Sequence, residues 1–127
     1  YFLVVDRINI LYIFYIYYKK LNYFLINRIM SKYTKYEMIL ILNEELNDSE
    51  LKTWAFKYAR ELKGLGAIDI FVTSRGKRNL AYMIKNQNKG NFIEIKFLII
   101  SSYLKQFKEI IELDENILRS LTVKKSS

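Results

Sequence analysis

Neither cysteine nor histidine occurs in this chain, proline is absent, and only four of its 127 residues are glycine. The missing thiols and imidazoles exclude disulfides, zinc sites built on sulfur or imidazole, and nucleophile systems that need Cys or His. They also remove the side chain that most readily moves a proton near neutral pH. Catalysis would fall to carboxylates, lysine, tyrosine or a cofactor, and no residue pattern here calls for a cofactor. With no thiol to protect, cysteine usage says nothing about redox compartment. There is no low-complexity linker and no self-similarity at a solenoid period, so the length reads as one compact domain.

What is present is apolar and basic. Hydrophobic residues make up 51% of the chain, enough to bury a core. Lys and Arg number 21 against 13 Asp and Glu, a formal charge of +8. A basic surface concentrates polyanions, so nucleic acid or an acidic membrane surface is one reading of this excess. A basic soluble protein with no polyanion partner is the other.

Residues 1–29 differ from the rest. Of these, 24 are Phe, Tyr, Leu, Ile, Asn or Lys, residues that A/T-rich codons can encode. The first methionine is Met30, followed by the polar stretch Ser31-Lys32-Tyr33-Thr34-Lys35. Three readings stay open for residues 1–29: an upstream in-frame stretch outside the mature protein, a targeting or membrane segment, or an extension peculiar to this chain. The apolar run from Ile8 to Tyr18 spans 11 residues, against the roughly 20 that a bilayer requires. No small-residue cleavage site follows it. A membrane role is therefore not expected, and residues 30–127 are expected to form the folded domain, with a net charge of +5.

Within 30–127 the hydrophobic periodicity alternates between two and 3.6 residues. Residues 35–42 (KYEMILIL) form a β-rich run. Asn47 or Asp48 is placed to cap a helix running to about Lys63, with Leu51, Trp54, Ala55, Tyr58 and Leu62 on one face. Gly64 and Gly66 end it. Residues 67–73 alternate, with Ile68, Ile70 and Val72 on one side. The strand resumes at Leu80–Ile84 after a basic stretch, Ser74–Asn79, whose Gly76 marks a bulge or bend. Lys85 to Gly90 read as a turn. Residues 91–100 form a strand with Ile93, Ile95, Phe97 and Ile99 on one face. Ser101 or Ser102 is placed to cap a second helix carrying Leu104, Phe107, Ile110 and Ile111. Asp114-Glu115-Asn116 break that helix before a last strand at 117–124. The order is β-α-β-β-α-β, an α+β ferredoxin-like layout. Right-handed crossovers make it a four-stranded antiparallel sheet with both helices on one face and the other face open.

The most distinctive run is Arg75-Gly76-Lys77-Arg78-Asn79-Leu80-Ala81-Tyr82-Met83-Ile84. Cations beside a glycine can approach phosphates closely. On physical grounds alone the same run also fits a solvated basic bend in an edge strand. The run resembles the signature of the ribosomal protein S6 family of the small subunit, an aromatic-Gly-basic-Arg-x-Leu-Ala-Tyr-x-Ile pattern. Gly76, Lys77, Arg78, Leu80, Ala81, Tyr82 and Ile84 match it. Lys35-Tyr36-Glu37-Met38-Ile39 resembles the family's opening strand, and Asp114-Glu115-Asn116-Ile117-Leu118-Arg119 its closing segment. The resemblance covers about residues 33–124. Arg75 departs from the Trp usual in bacterial members and Met83 from a frequent Pro. Arg at the first position is common in plastid members, which implies the small ribosomal subunit of the plastid (chloroplast) stroma.

The resemblance implies placement, not chemistry: binding to the central domain of small-subunit (16S-type) ribosomal RNA as a pair with protein S18, among other small-subunit proteins. It implies no enzyme activity, no metal and no small-molecule substrate. The expected RNA contacts are Arg75, Lys77 and Arg78, then Lys35, Tyr36 and Arg119, the last two on strands that the topology makes neighbours. The expected protein contacts are Leu80 and Tyr82, although core packing is the alternative for both and the stronger reading for Leu80.

Rival functions fare worse on their own residues. A phosphatase of the acyl-phosphatase type needs an Arg-bearing phosphate loop after the first strand. Residues 43–48 hold no Arg and no Gly and carry three acids. A generic single-stranded RNA-binding module would show a basic-Gly-Phe start to its third strand, and Lys89-Gly90-Asn91-Phe92 echoes it only in part. Glu44, Glu45, Asp48 and Glu50 read as an acidic start to a helix, favourable to its dipole. A membrane-anchored protein would rest on residues 1–29 alone.

Overall fold

The computed structural model describes residues 3–6 and 23–125. Their elements are β1 (Leu3–Asp6), α1 (Tyr23–Met30), β2 (Tyr33–Asn43), α2 (Asp48–Gly64), β3 (Ile68–Ile84), β4 (Gln87–Ile100), α3 (Ser101–Glu112) and β5 (Ile117–Lys125). The apolar run Ile8–Tyr18 lies outside the described residues. From β2 onward the order is the expected β-α-β-β-α-β. The strands lie in the order β1-β3-β4-β2-β5 and every neighbouring pair is antiparallel. The ferredoxin-like four-stranded sheet is thus present, and β1 adds a short fifth strand to it. Leu3 to Asp6 pair with Thr73 to Ile70, along an edge whose N–H and C=O groups would otherwise lack strand partners.

Strand alternation decides what is buried. Tyr36, Met38, Leu40 and Leu42 of β2 and Ile93, Ile95, Phe97 and Ile99 of β4 form one core with Leu51, Trp54, Tyr58 and Leu62 of α2 and Leu104, Phe107 and Ile111 of α3. Both helices therefore cover the same face of the sheet. Aromatic rings knit the layers: Trp54 lies 4.3 Å from Tyr58, and Phe107 meets Tyr58 and Phe97 edge-on at 6.1 and 6.0 Å, arrangements that favour aromatic quadrupoles.

Local chemistry explains the boundaries and corrects several expectations. Asn47, not Asp48, caps α2: its side chain accepts from the Glu50 amide at 2.8 Å, and the Glu50 carboxylate accepts from the Asn47 amide at 3.3 Å, a capping box. Gly66, at φ 85°, makes the left-handed exit, while Gly64 is the last helical residue. Ile100, not a serine, occupies the N-cap position of α3 and makes no side-chain cap. The Ser101 hydroxyl instead meets the Tyr36 hydroxyl at 3.0 Å. The basic stretch does not interrupt β3, because bulges absorb it. Register shifts fall at Ile68/Phe71, Ser74/Gly76 and Asn79/Ile84, and Gly76 takes φ 86°. The expected turn at 85–90 is only Lys85-Asn86, both at positive φ (48° and 63°). Two such residues make the tight turn whose twist matches a hairpin, so Gln87–Gly90 are free to be strand.

Asp114 fastens the α3–β5 connection to α2. One carboxylate oxygen accepts from the Asn116 amide at 2.9 Å, and the other from Trp54 Nε1 at 2.9 Å and from the Tyr58 hydroxyl. Burial works against the charged carboxylate, but the hydrogen bonds from Tyr58, Asn116 and Trp54 outweigh it and hold Asp114 below the usual aspartate range. A carboxyl with a depressed folded value contributes stability above its unfolded value and loses it as pH falls through the folded one. Asp114→Asn is expected to cost about 1–3 kcal/mol at neutral pH, read by urea denaturation. It is also expected to flatten the loss of stability that the parent shows below about pH 4.

Candidate nucleic-acid and protein interface

The face of the sheet away from the helices carries the residues that alternate with the core. Four strands contribute: Phe71, Thr73 and Arg75 from β3, Phe92, Glu94 and Lys96 from β4, Lys35, Glu37, Ile39 and Ile41 from β2, and Arg119, Leu121, Val123 and Lys125 from β5. A line of charges crosses these strands. Lys125 lies 3.3 Å from Glu37 and Lys96 lies 3.6 Å from Glu94, and Arg75 grips the same Glu94 through Nε at 2.8 Å and through a terminal guanidinium nitrogen. Glu94 is 8% exposed. Its burial alone would raise its pKa, but a hydrogen bond shared with Glu37 and the Arg75 and Lys96 cations lower it overall.

Beside this line lies an apolar patch. Ile39, Ile41 and Phe92 are half-buried, and Leu121 and Val123 stand exposed at 58% and 39%. The long β3–β4 hairpin closes one end of it. Gly90 permits this closure: a Cβ there would sit 2.4 Å from Ile41 Cγ2 and 3.3 Å from the Leu42 carbonyl. Polar ties hold the hairpin to its neighbours. Asn91 Nδ2 donates to the Asn43 carbonyl at 2.9 Å, the Glu44 amide to Gln87 Oε1 at 3.0 Å, and Lys85 Nζ to the Ile117 carbonyl at 3.3 Å. Tyr82 and Met83 project from it, 61% and 56% exposed.

The expected site residues divide into groups. Arg75 and Arg78 come together on the open face, where they line a hollow of about 340 Å³ with Ile39, Phe92 and Glu94. Arg78 holds its guanidinium 5.7 Å from the Phe92 ring. Arg119 and Tyr82 also meet: the guanidinium donates to the Tyr82 hydroxyl at 2.6 Å and lies 5.6 Å from its ring. Lys35 lines a separate hollow of about 570 Å³ with Asp69, Phe71, Lys96 and Leu98. Lys77 is elsewhere, in a cleft of about 470 Å³ with Asn47, Asp48, Lys52 and Asn91 at the start of α2. It faces away from Arg78 because adjacent strand residues face opposite sides, and away from Arg75 because the bulge at Ser74/Gly76 breaks the alternation between them.

Tyr36 requires correction as a surface contact. It is 7% exposed, its ring lies 6.1 Å from Phe97, and its hydroxyl is engaged by Ser101. Arg119 pairs with Ile41 and Tyr36 with Lys124, so the two lie on neighbouring strands but five positions apart and on opposite faces. Leu80 is half-exposed and stands outside the core cluster. Sequence reasoning missed Glu94, Gly90, Leu121, Val123 and Met83. Leu121 and Val123 had a signal, two apolar residues at strand spacing among the polar residues of the second half of β5. Glu94 and Gly90 had none, since their roles depend on which strand lies beside them. Among the described residues no His, Cys, Asp or Glu cluster converges as a metal site, and no helix is long and apolar enough to cross a membrane.

Comparison with known proteins supplies an independent line. The family model described as ribosomal protein S6 matches residues 35–124. Small ribosomal subunit protein bS6c of Trieres chinensis is 53% identical over 96 residues, covering 76% of this chain and all of that one. The bS6c protein of Phaeodactylum tricornutum is 47% identical over 91 residues, covering 72% and 93%. The bS6 protein of a Picosynechococcus species is 37% identical over 89 residues, covering 70% and 77%. Among solved structures, 30S ribosomal protein S6 from Thermotoga maritima superposes with a TM-score of 0.68 at 21% identity, over 73% of this chain and 88% of that one. That superposition shows the shared fold.

The hairpin's closure over the sheet can be tested through its glycine. Gly90→Ala is expected to destabilise by about 1–3 kcal/mol, the usual cost of overpacking. Gly64→Ala, with nothing within 4 Å of the added Cβ, is expected to stabilise by about 0.4–1 kcal/mol. Paired chemical denaturation curves read both.

Proposed function

The chain belongs to the ribosomal protein S6 family of the small ribosomal subunit, and from that premise we propose that it binds the central domain of 16S-type ribosomal RNA jointly with protein S18. Its role is structural and not enzymatic. Two of its relatives, at 47% and 53% identity, are of the plastid type, and the proposed setting is the small ribosomal subunit in the plastid stroma.

The observation that carries the reading is the open sheet face. An apolar patch of Ile39, Ile41, Phe92, Leu121 and Val123, with Tyr82 and Met83 at its end, adjoins three arginines already held in place. Arg75 is positioned by Glu94, Arg78 by Phe92 and Arg119 by Tyr82. Each guanidinium keeps N–H groups for phosphate while its own orientation is set in advance, which lowers the ordering cost of binding. The apolar patch, with Tyr82 and Leu80, is assigned to the protein partner. The arginines, with Lys35 and Lys77, are assigned to the RNA backbone. Such contacts position a protein without reading base sequence.

The test is binding of the full chain to a central-domain ribosomal RNA fragment, with and without S18, across a salt series. Binding is expected only with S18 and is expected to weaken as salt rises. Replacing Arg75, Lys77 and Arg78 by Ala is expected to reduce the salt slope by about two to three. Leu121→Glu is expected to abolish the S18-dependent binding by placing a charge on the patch. Equal RNA binding without S18, or an unchanged salt slope in the triple variant, would overturn the assignment.

A further inference from the structure

The two edges of the four-stranded sheet, β5 and β3, are protected in different ways. β5 pairs only with β2 among the described residues, and it carries charge along its free side: Arg119, Lys124 and Lys125 are all exposed. Cations on an edge deter a second strand from adding to it. β3 lacks that protection along one stretch. Between Asp69 and Arg75 it reads Ile70-Phe71-Val72-Thr73-Ser74, with no charge and no proline, a composition that favours strand pairing. At one end of this stretch Asp69 takes φ 50° at a register shift, which interrupts the regular strand. At the other end Arg75, Lys77 and Arg78 supply charge, and the irregularity between Asn79 and Ile84 blunts what remains. β1 pairs with Ile70 through Thr73. The short strand thus covers the part of the β3 edge that has no charge of its own. β1 also lies outside the residues 35–124 that match the family.

We propose that β1 is a guard strand this chain carries for its own sheet, and that the edge it covers is an association site for a second copy of the chain. With β1 withdrawn, the outward N–H and C=O groups of Ile70–Thr73 lack strand partners. Two copies can then satisfy each other by pairing antiparallel about a two-fold axis centred on Phe71. That register sets Ile70 opposite Val72 of the second copy and Phe71 opposite its own equivalent. Residues directly opposite share a face, so both faces of the sheet continue across the junction. This match of the edge with itself is what favours a second copy over an unrelated strand. The contact is isologous and closes at a dimer, because the cations of β5 keep the far edge of each copy from adding further strands. The proposal pairs none of the residues assigned above to RNA or to S18.

The full chain has no cysteine, so one engineered pair reads the position of β1 without background. Residues opposite each other in antiparallel strands have Cα atoms about 4.5–5.5 Å apart, within disulfide reach. Leu3 is opposite Thr73, and Leu3→Cys with Thr73→Cys is expected to oxidise to an internal disulfide at the monomer mass of 15.3 kDa. A disulfide-linked dimer, or two thiols that stay free under oxidation, would overturn the guard assignment. The second arm replaces Val4 and Val5 by Pro in the full chain, which removes strand hydrogen-bond donors, and follows mass by sedimentation velocity over a concentration series. The parent is expected to remain a monomer and the double-proline chain to shift to a dimer as concentration rises. Adding Thr73→Lys to that chain is expected to return it to monomer, by placing on the bare edge the kind of charge β5 carries. Near-ultraviolet circular dichroism, which reports the packed rings of Trp54 and Tyr58, is expected to match the parent in every variant. A double-proline chain that stays monomeric, a parent that already dimerises, or association that Thr73→Lys leaves unchanged would each overturn the proposal. Loss of the near-ultraviolet signal would do so as well, by making β1 a part of the core and not a cover for an edge.

Discussion

Eleven consecutive residue pairs hold β2 to β4, from Tyr33 opposite Ile100 to Asn43 opposite Gly90, with no shift of register. These are the strands next to the centre of the four-stranded sheet, and their unbroken pairing decides the fate of every side chain they carry. A slip by one residue would turn Lys35, Glu37, Glu94 and Lys96 towards the helices and expose Met38, Leu40, Ile93 and Ile95. The apolar set that this register buries is almost completely shielded from water. Burial of that kind is worth roughly 1.5–3 kcal/mol for each large side chain, so the penalty for slippage is many times what any surface ion pair could offset.

The same register creates the functional face. Once alternate residues are committed to the helices, those between them have nowhere to go but the open side. There β2 and β4 bring Glu37, Glu94 and Lys96 together with Lys125 of β5 and Arg75 of β3. A carboxylate as buried as Glu94 is tolerable only when paired, and Arg75 and Lys96 supply the pairing. The line of ions therefore fixes side-chain positions more than it adds stability, and the apolar patch beside it remains uncovered. An exposed apolar patch with charged rims is the arrangement that protein partners use. Its neighbouring arginines suit a phosphate backbone.

Three positions with unusual backbone or steric demands shape the hairpin that completes this face. Gly76 takes a left-handed conformation at a bulge, which lets β3 carry a basic stretch without ending. Lys85 and Asn86 together make the reversal with positive φ. Gly90 removes the one Cβ that would collide with Ile41. The result places Tyr82 beside Arg119, two residues 37 positions apart in sequence.

Much of this was readable from residues alone. Periodicity in KYEMILIL, in the Leu51–Leu62 face and in NFIEIKFLII determined the order of elements, the fold class and nearly all of the core. These signals are local, and local signals survive without knowledge of neighbours. The motif around Gly76 determined the family. Cross-strand facts were decided elsewhere: that Lys77 faces away from Arg75 and Arg78, that Tyr36 is a core ring, that Ser101 serves Tyr36 instead of capping α3, and that Glu94 anchors Arg75. Each depends on which side a bulged strand presents and what lies one strand away, and the period of two fails wherever a bulge inserts a residue. The sequence by itself determined the order of the elements and their buried sides, because those follow from spacing along one segment. Only the tertiary structure decided which charges meet and which surfaces remain open, because those follow from register between segments far apart in the chain.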